Sequence, residues 1–230
     1  MLGRSPADGR GSGRTRHRLS YYPAFLDLTD KPCVVVGGGP VAERKIGTLL
    51  AAGGSVTVIS PGITAGLLRL SACGKIRHRN RAYRSGDLQG AFLVVAATGS
   101  REVNARVAKE APGLVNVADS PAAGNFIVPA AAQSGPLMFA ISTGGASPAL
   151  AKTISAELKK HYPASIGRYS RFLGRLRRRI LGTIPSGRQR ERFFREAASR
   201  ELLEIVRRDG ERAGTARVRI ILKNYERGDK

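Results

Sequence analysis

Short apolar runs alternate with amphipathic segments over the first half of the chain. Four of the runs predict buried β-strands: PCVVVG, SVTVIS, AFLVVAAT and LVNVAD. A helix is predicted after the first run, because Ile46, Leu49 and Leu50 share one helical face, and two more helices are predicted in GLLRLSACG and REVNARVAKEA. The polar stretch KIRHRNRAY predicts an edge strand. Buried strands that alternate with helices are typical of a parallel sheet covered on both faces. We therefore predict an α/β fold, a Rossmann-type doubly wound parallel sheet, over residues 21–128.

The pattern changes after Asp119. Two short strands, a glycine turn and a helix from about Pro148 to His161 are predicted next, and they form a small α/β region over residues 129–163. Residues 164–230 predict Arg-rich helices with apolar residues at helical spacing, interrupted at GTIPSGR and RRDGERAGT. We therefore predict a helical C-terminal domain.

Residues 1–20 differ from the rest of the chain, since they contain no hydrophobic stretch and are rich in Gly, Ser and Arg. Such a segment cannot offset the entropy of ordering, so we predict a disordered basic tail. Its Arg- and Ser-rich composition also faintly resembles an organelle transit peptide, which is the alternative.

The composition indicates a globular protein in an aqueous compartment. Of the 230 residues, 42% are hydrophobic, and no apolar run approaches the ~18 residues needed to cross a bilayer. Cys33 and Cys73 lack metal-ligand spacing, so we predict reduced thiols and a cytoplasmic location. The net charge of +22 is concentrated toward the two ends of the chain. It favours polyanionic partners, but a well-solvated basic surface accounts for it equally well.

A glycine-rich turn directly follows the first predicted strand. Gly37, Gly39 and Ala42 match the pattern GxGxxA, in which the first glycine allows a tight turn and the second leaves room for a pyrophosphate. The helix N terminus then offers free N–H groups to phosphates. A tight turn without a ligand is the alternative. We predict that the residues of this turn bind a dinucleotide: Gly37, Gly38, Gly39, Pro40, Val41 and Ala42.

The acid that usually holds the adenine ribose is absent. It is expected about 20 positions after the glycines, but the second strand ends in Ser60 followed by Pro61. Ser60 is therefore the candidate contact to the cofactor at this strand end. The residues alone leave NAD versus NADP open.

Four segments, in order, resemble one known family. They are YYPAFLDLTDKPCVVVGGGPVAERKIGTLLAAGGSVTVIS, VVAATGSREVNARV, VNVADSPAAGNFIVPA and PLMFAISTGGASPALAKTISAEL. Together they resemble the precorrin-2 dehydrogenase and sirohydrochlorin ferrochelatase module of siroheme synthase, from about Tyr21 to Tyr162 and more loosely through the C-terminal helices. No methyltransferase domain follows, so we expect the stand-alone form.

The resemblance implies a fold, an activity and partners. The family's fold is a Rossmann domain, a small dimerisation region (here residues 129–163) and a helical C-terminal domain, assembled as a homodimer. Its activity is the NAD-dependent oxidation of precorrin-2 to sirohydrochlorin in siroheme biosynthesis. Some members also insert ferrous iron into sirohydrochlorin, which makes ferrous iron a candidate second substrate. We expect neither a nucleic-acid nor a membrane partner.

Asp119 is the candidate catalytic residue. The family's key aspartate lies in the motif NVxD, which falls on Asp119 in this sequence. Asp119 also follows a buried strand, at the end where open α/β sheets bind ligands. A carboxylate there can take a proton from the macrocycle as hydride leaves. The alternative is that Asp119 begins the turn DSPAAG, a common role for aspartate.

Two further polar residues are candidates for contact with the cofactor. Thr98 lies in AATG, which resembles the family segment near the nicotinamide ribose, although Gly99 and Ser100 stand where the family often has acids. Asn116 is polar within an otherwise apolar strand. A buried amide bonded to neighbouring backbone is the alternative for Asn116.

Four residues are candidates for binding the substrate, because they lie in the segments that carry the resemblance: Asn125, Thr143, Gly144 and Ser147. Ser147 followed by Pro148 predicts a helix start, and a helix N terminus beside the crevice would attract substrate carboxylates. Ordinary capping is the alternative for Ser147.

No resident metal is predicted, because the three histidines are dispersed and neither HxxxH nor CxxC occurs. The competing function is a non-catalytic NAD-sensing or nucleic-acid-binding regulator, whose basic stretch RYSRFLGRLRRRILG would contact phosphates. The apolar stripe along that stretch indicates a core-facing helix and weighs against this alternative.

Overall fold

The structure is a computed structural model that describes residues 21–181, 184 and 186–227. The predicted disordered tail, residues 1–20, lies outside the described residues. The chain divides into two compact units, with the boundary between Ile127 and Val128. The boundary predicted from the sequence lies one residue later. Residues 129–163, predicted as a region separate from the C-terminal helices, belong to the same unit as those helices.

A five-stranded parallel sheet forms the centre of the first unit. Its strands are β1 (Pro32–Val36), β2 (Ser55–Ile59), β3 (Ile76–Arg79), β4 (Leu93–Ala96) and β5 (Leu114–Val117). They are ordered β3-β2-β1-β4-β5, and every pair is parallel. The strand order changes direction between β1 and β4, which is where open α/β sheets bind ligands. The predicted Rossmann-type fold is thus confirmed, and Ile76–Arg79 of the stretch KIRHRNRAY form the edge strand β3.

Helices cover both faces of this sheet: α1 (Pro40–Ala51), α2 (Ala65–Ala72) and α3 (Arg101–Glu110). Val35 and Val58 share a core with Ile46 of α1 on one face, whereas Val94 shares a core with Val107 of α3 on the other. All five side chains are 0% exposed. Each such burial contributes about 1.5–3 kcal/mol, so both faces anchor the sheet whose edge carries the candidate site.

The second unit begins with a hairpin, formed by the antiparallel strands β6 (Ala130–Ser134) and β7 (Leu137–Ile141). Its helices are α4 (Pro148–His161), α5 (Ala164–Ile180), α6 (Gly187–Ala197), α7 (Arg200–Asp209) and α8 (Glu211–Glu226). The two predicted short strands, the predicted bounds of α4 and the predicted breaks before α6 and α8 are confirmed.

One helix break was not predicted. Helix α6 ends at Ala197 and α7 begins at Arg200, although the apolar residues on both sides keep helical spacing. Ser199 caps α7, because its Oγ accepts a hydrogen bond from the Leu202 N–H (3.3 Å). Residues of both helices share one core with Tyr169, so the spacing of apolar positions alone does not reveal the break.

No helix among the described residues has the length and the apolar character that crossing a membrane requires. No group of three or more His, Cys, Asp or Glu side chains among them lies close enough together to hold a metal ion.

Candidate active site

The turn after β1 presses two glycines against neighbouring backbone. A Cβ at Gly37 would lie 2.3 Å from the Ala97 carbonyl oxygen, and the φ of Gly37 is +119°. A Cβ at Gly38 would lie 2.2 Å from the Gly62 carbonyl oxygen. Only glycine tolerates such approaches without a shift of the backbone. Both positions therefore require glycine for the fold itself.

Gly39 differs from its neighbours, because no described protein atom lies within 4 Å of the Cβ that a substitution would add. Gly39 is the N-cap of α1 with a φ of −82°, which any residue can adopt. The first backbone bond of the helix runs from the Glu43 N–H to the Gly39 carbonyl (3.0 Å), so the Val41 and Ala42 N–H groups precede it. Open space beside a helix N terminus fits a diphosphate.

Ser60 lies just after β2, and its side chain is hydrogen-bonded to the loop that follows. It is 8% exposed, and its hydroxyl donates to the Gly62 carbonyl oxygen (2.6 Å). Its own carbonyl accepts from His78 Nε2 (2.9 Å). The Ser60 Oγ would lie 2.9 Å from a Cβ at Gly38, so Ser60 shapes the loop against the glycine turn. Its contact with a cofactor stays a prediction.

Three residues beyond the ends of β4 and β5 form one hydrogen-bonded group. The Oδ1 of Asn104 accepts from the N–H of Thr98 (3.1 Å) and from the Thr98 hydroxyl (2.8 Å). The Nδ2 of Asn104 donates to the Thr98 carbonyl oxygen (3.1 Å) and to Asp119 Oδ1 (3.2 Å). Asn104 is 2% exposed, whereas Asp119 is exposed.

This group adjoins the glycine turn, because the Thr98 nitrogen would lie 3.1 Å from a Cβ at Gly37. We call the glycine turn (residues 37–42), Thr98, Asn104 and Asp119 the carboxyl-edge patch. It places an exposed carboxylate at the same end of the sheet as the free N–H groups of α1. The side-chain roles predicted for Thr98 and Asp119 stay predictions.

Asn116 is buried within β5 and has protein partners on both polar atoms. Its Oδ1 accepts from Lys45 Nζ (2.7 Å), and its Nδ2 donates to the Phe126 carbonyl oxygen (3.1 Å). Burial, with a smaller contribution from the charge of Arg44, lowers the pKa of Lys45 below its usual value. This arrangement matches the alternative of a bonded buried amide, and the predicted contact of Asn116 with a cofactor stays a prediction.

Asn125 completes the free edge of β5. Its Oδ1 accepts from the Val115 N–H (2.8 Å), and its Nδ2 donates to the Gly113 carbonyl oxygen (2.9 Å). The side chain thus bonds backbone groups at this edge that a further strand would otherwise bond. Both polar atoms have structural partners, and binding of substrate by Asn125 stays a prediction.

In the second unit, the loop before α4 contains the other predicted substrate-binding residues. Ser147 Oγ accepts from the Leu150 N–H (3.2 Å), which confirms the predicted N-cap. Thr143 Oγ1 accepts from the Ser147 N–H (3.0 Å), and Gly144 has a φ of +64°. The three residues build one tight loop, and their contact with substrate stays a prediction.

Comparison with known proteins identifies the family. Residues 24–130 match NAD_binding_7, a family described as "Putative NAD(P)-binding". The solved structure of "SirC, precorrin-2 dehydrogenase" is similar to this chain with a TM-score of 0.73 and 31% identity, covering 86% of this chain and 99% of that one. The chain belongs to the precorrin-2 dehydrogenase family.

Curated siroheme synthases are also similar to this chain. The siroheme synthase of Methylococcus capsulatus is 40% identical over 191 residues, which are 82% of this chain and 40% of the relative. Siroheme synthase 1 of Aeromonas salmonicida is 37% identical over 215 residues, 92% of this chain and 46% of the relative. The chain therefore spans less than half the length of these relatives.

Membership of the precorrin-2 dehydrogenase family confirms the predicted dinucleotide-binding domain, with NAD as its cofactor. The residues of the glycine turn fit this cofactor. The open space beside Gly39 and the N–H groups of Val41 and Ala42 would hold its diphosphate. The backbone contacts at Gly37 and Gly38 fix the turn that presents them.

Two residues of this site were missed by the sequence analysis. Asn104 lies six positions after Thr98 in the first turns of α3, a place where a polar residue usually faces water. Lys45 lies on α1, and its amine reaches Asn116 in β5, 71 positions away. The one local signal for Asn104 was its place directly after Val103 and three positions before Val107, on the apolar side of the predicted helix.

Proposed function

We propose that this chain oxidises precorrin-2 to sirohydrochlorin with NAD, a step of siroheme biosynthesis. The names of the solved and curated relatives support this activity. The observation that carries the proposal is the carboxyl-edge patch, in which the exposed carboxylate of Asp119 is joined through Asn104 and Thr98 to the glycine turn.

The residues of the patch have different roles in this reaction. Oxidation removes one hydride and one proton from the macrocycle, and NAD accepts the hydride when it is bound. The proton needs a separate acceptor. Asp119 Oδ2 takes it, since Oδ1 is bonded to Asn104, and the exposed carboxylate then passes it to water.

The test is an assay of the purified protein with precorrin-2 and NAD, read as the absorbance of reduced nicotinamide. Loss of a general base lowers kcat by about 100- to 10,000-fold, so we expect a loss of this size in Asp119→Asn with NAD binding kept. Asp27→Asn is the matched control, because Asp27 is also exposed in the first unit and accepts one N–H bond, from Thr29 (3.0 Å). It should keep the wild-type kcat.

The outcomes of this assay discriminate between the functions. An unchanged kcat in Asp119→Asn would remove Asp119 from the reaction. If the wild-type protein forms no reduced nicotinamide, the proposed dehydrogenase activity is overturned. Salt-dependent binding of duplex DNA in that case would support the alternative function, a nucleic-acid-binding regulator.

We also propose that the chain inserts ferrous iron into sirohydrochlorin, because its curated relatives are named siroheme synthases. Insertion releases the two pyrrole N–H protons, and Asp119 Oδ2 is the acceptor that the patch offers. Incubation with sirohydrochlorin and ferrous iron should shift the absorbance bands of the macrocycle faster than the uncatalysed reaction. Equal rates with and without protein would limit the chain to the oxidation.

A homodimer formed through the hairpin of the second unit is the proposed assembly. Among the described residues, β6 and β7 pair only with each other, so each strand has an outer edge that a strand of another chain can pair with. Met138 of β7 is 47% exposed, and Val128, two residues before β6, is 48% exposed. Light scattering should give twice the chain mass of 24.5 kDa, and Met138→Lys should shift this toward the monomer. Leu68→Lys, at an apolar position of the first unit that is 61% exposed, should not.

The cytoplasm is the proposed location. Cys33 and Cys73 are free thiols, which is usual in a reducing compartment. Recovery of the protein in a membrane or periplasmic fraction of its cells would contradict this.

A further inference from the structure

Asn104 contacts both Thr98 and Asp119 of the carboxyl-edge patch, and in the reaction described above it is only the partner of Asp119 Oδ1. A side-chain carboxamide has two donor positions and two acceptor positions. Three of them are bonded to the Thr98 backbone and to Asp119 Oδ1, and the fourth faces the Thr98 hydroxyl, whose one proton is closer to Asn104 Oδ1 (2.8 Å) than to the Ser100 carbonyl (3.0 Å). The side chain is 2% exposed, so water does not compete for these bonds.

The bonds to Thr98 fix which way the carboxamide points. The Thr98 N–H can only donate, so it requires the oxygen of Asn104, and the nitrogen must then face the Thr98 carbonyl and Asp119. The opposite orientation would set the amide oxygen against a carbonyl and a carboxylate, both of which are acceptors. The donor aimed at Asp119 is therefore determined by the turn after β4.

We propose that Asn104 is a positioning residue that holds the Asp119 carboxylate in its working orientation, an inference that rests on the proposed role of Asp119. An exposed aspartate on a loop samples several rotamers. A fixed N–H donor to Oδ1 selects one of them and leaves Oδ2 as the proton acceptor. Hydrogen bonds to ionised acceptors are among the stronger ones, so the selection is effective even though Asp119 faces water.

A double-mutant cycle separates positioning from structural support. Asn104→Ala should lower the kcat of precorrin-2 oxidation about 10- to 100-fold, the effect of one charge-assisted hydrogen bond. In an Asp119→Ala background the same change should alter the residual kcat by less than about threefold, because the group it positions is gone. An equal loss in both backgrounds would overturn the proposal, since a structural role does not depend on Asp119.

Tyr83→Phe is the matched control for this cycle. It removes one side-chain hydrogen bond to α3, from the Tyr83 hydroxyl to Glu110 Oε2 (2.6 Å), at the end of the helix away from the patch. It should lower the stability of the first unit and leave kcat unchanged. A loss of kcat like that of Asn104→Ala would show that general loosening of α3 is the cause, and would overturn the proposal.

A second measurement does not depend on activity. The side-chain amide signals of Asn104 in a ¹H–¹⁵N NMR spectrum can be assigned by their loss in Asn104→Ala. They should move in Asp119→Ala, whereas those of Gln133, which donates to Gly135 in the second unit, should not. Unmoved Asn104 signals would overturn the proposal. If the Asn104 signals move in Asp119→Ala but the wild-type protein does not oxidise precorrin-2, the contact between Asn104 and Asp119 is supported and the proposed function alone is overturned.

Discussion

Replacing Gly39 with alanine should separate cofactor binding from folding. The added methyl group meets no described protein atom within 4 Å, and the φ of −82° suits alanine. Alanine is a poorer N-cap than glycine by about 0.5–1 kcal/mol, and the reduced entropy of the unfolded chain offsets about 0.4–1 kcal/mol of this. We therefore expect the free energy of unfolding to change by less than about 1 kcal/mol.

The same methyl group occupies the space in which the diphosphate of NAD would lie. Overfilling a packed space costs about 1–3 kcal/mol, which corresponds to a loss of NAD affinity of about 5- to 150-fold. Urea unfolding gives the stability, and titration calorimetry with NAD gives the affinity, both in the same buffer.

Gly38→Ala provides the contrast. Its methyl group would lie 2.2 Å from the Gly62 carbonyl oxygen and 2.8 Å from Ile63 Cγ2, so this variant should lose at least about 1–3 kcal/mol of stability. If Gly39→Ala binds NAD as tightly as the wild type, or unfolds as easily as Gly38→Ala, the assignment of the open space to the diphosphate is refuted.

Three other predictions concern charge and pH. Hydrogen bonding from Arg81 holds the pKa of Asp87 at about 2, so stability should fall as the pH drops from about 4 toward that value. Asp87→Asn should reduce this dependence in acid unfolding followed by circular dichroism, and the remainder comes from groups such as Asp27 and Asp209, whose pKa values hydrogen bonds also lower. Burial raises the pKa of Tyr169 to about 12, so the free energy of unfolding should fall as the pH rises from about 10 to that value. Tyr169→Phe should reduce the fall without abolishing it, because burial raises the pKa of Tyr83 as well. Raised ionic strength should raise the KM for precorrin-2, because the net charge of +22 attracts carboxylates; a constant KM would contradict this.

The sheet and the glycine turn were predictable because their signals are local. The buried runs are continuous in sequence, and the turn at Gly37 joins consecutive elements whose lengths match a βα unit. The start of α4 was equally local, since Ser147 and Pro148 are both helix-start residues. Each of these features is decided by residues within one or two turns of chain.

The interior of the candidate site was less predictable, because it depends on which strands become neighbours. The bond from Asn104 to Asp119 spans 15 positions, and the bond from Lys45 to Asn116 spans 71. Neither pair has a motif, and a lone Asn or Lys on a helix usually faces water. The polar residues of this site therefore acquire their roles only once the sheet has been assembled.

The position of Asp119 follows from the register of β4 and β5. Ala96 pairs with Val117 at the end of the ladder, and the Ala118 N–H continues it by donating to the Ala96 carbonyl (2.9 Å). Asp119 then leaves the sheet one residue later, on the side of Thr98. A slip of one residue would reverse the face of every side chain on β5 and would take the carboxylate away from Asn104. The apolar residues that fix this register, although they touch no ligand, therefore determine where the proton acceptor stands.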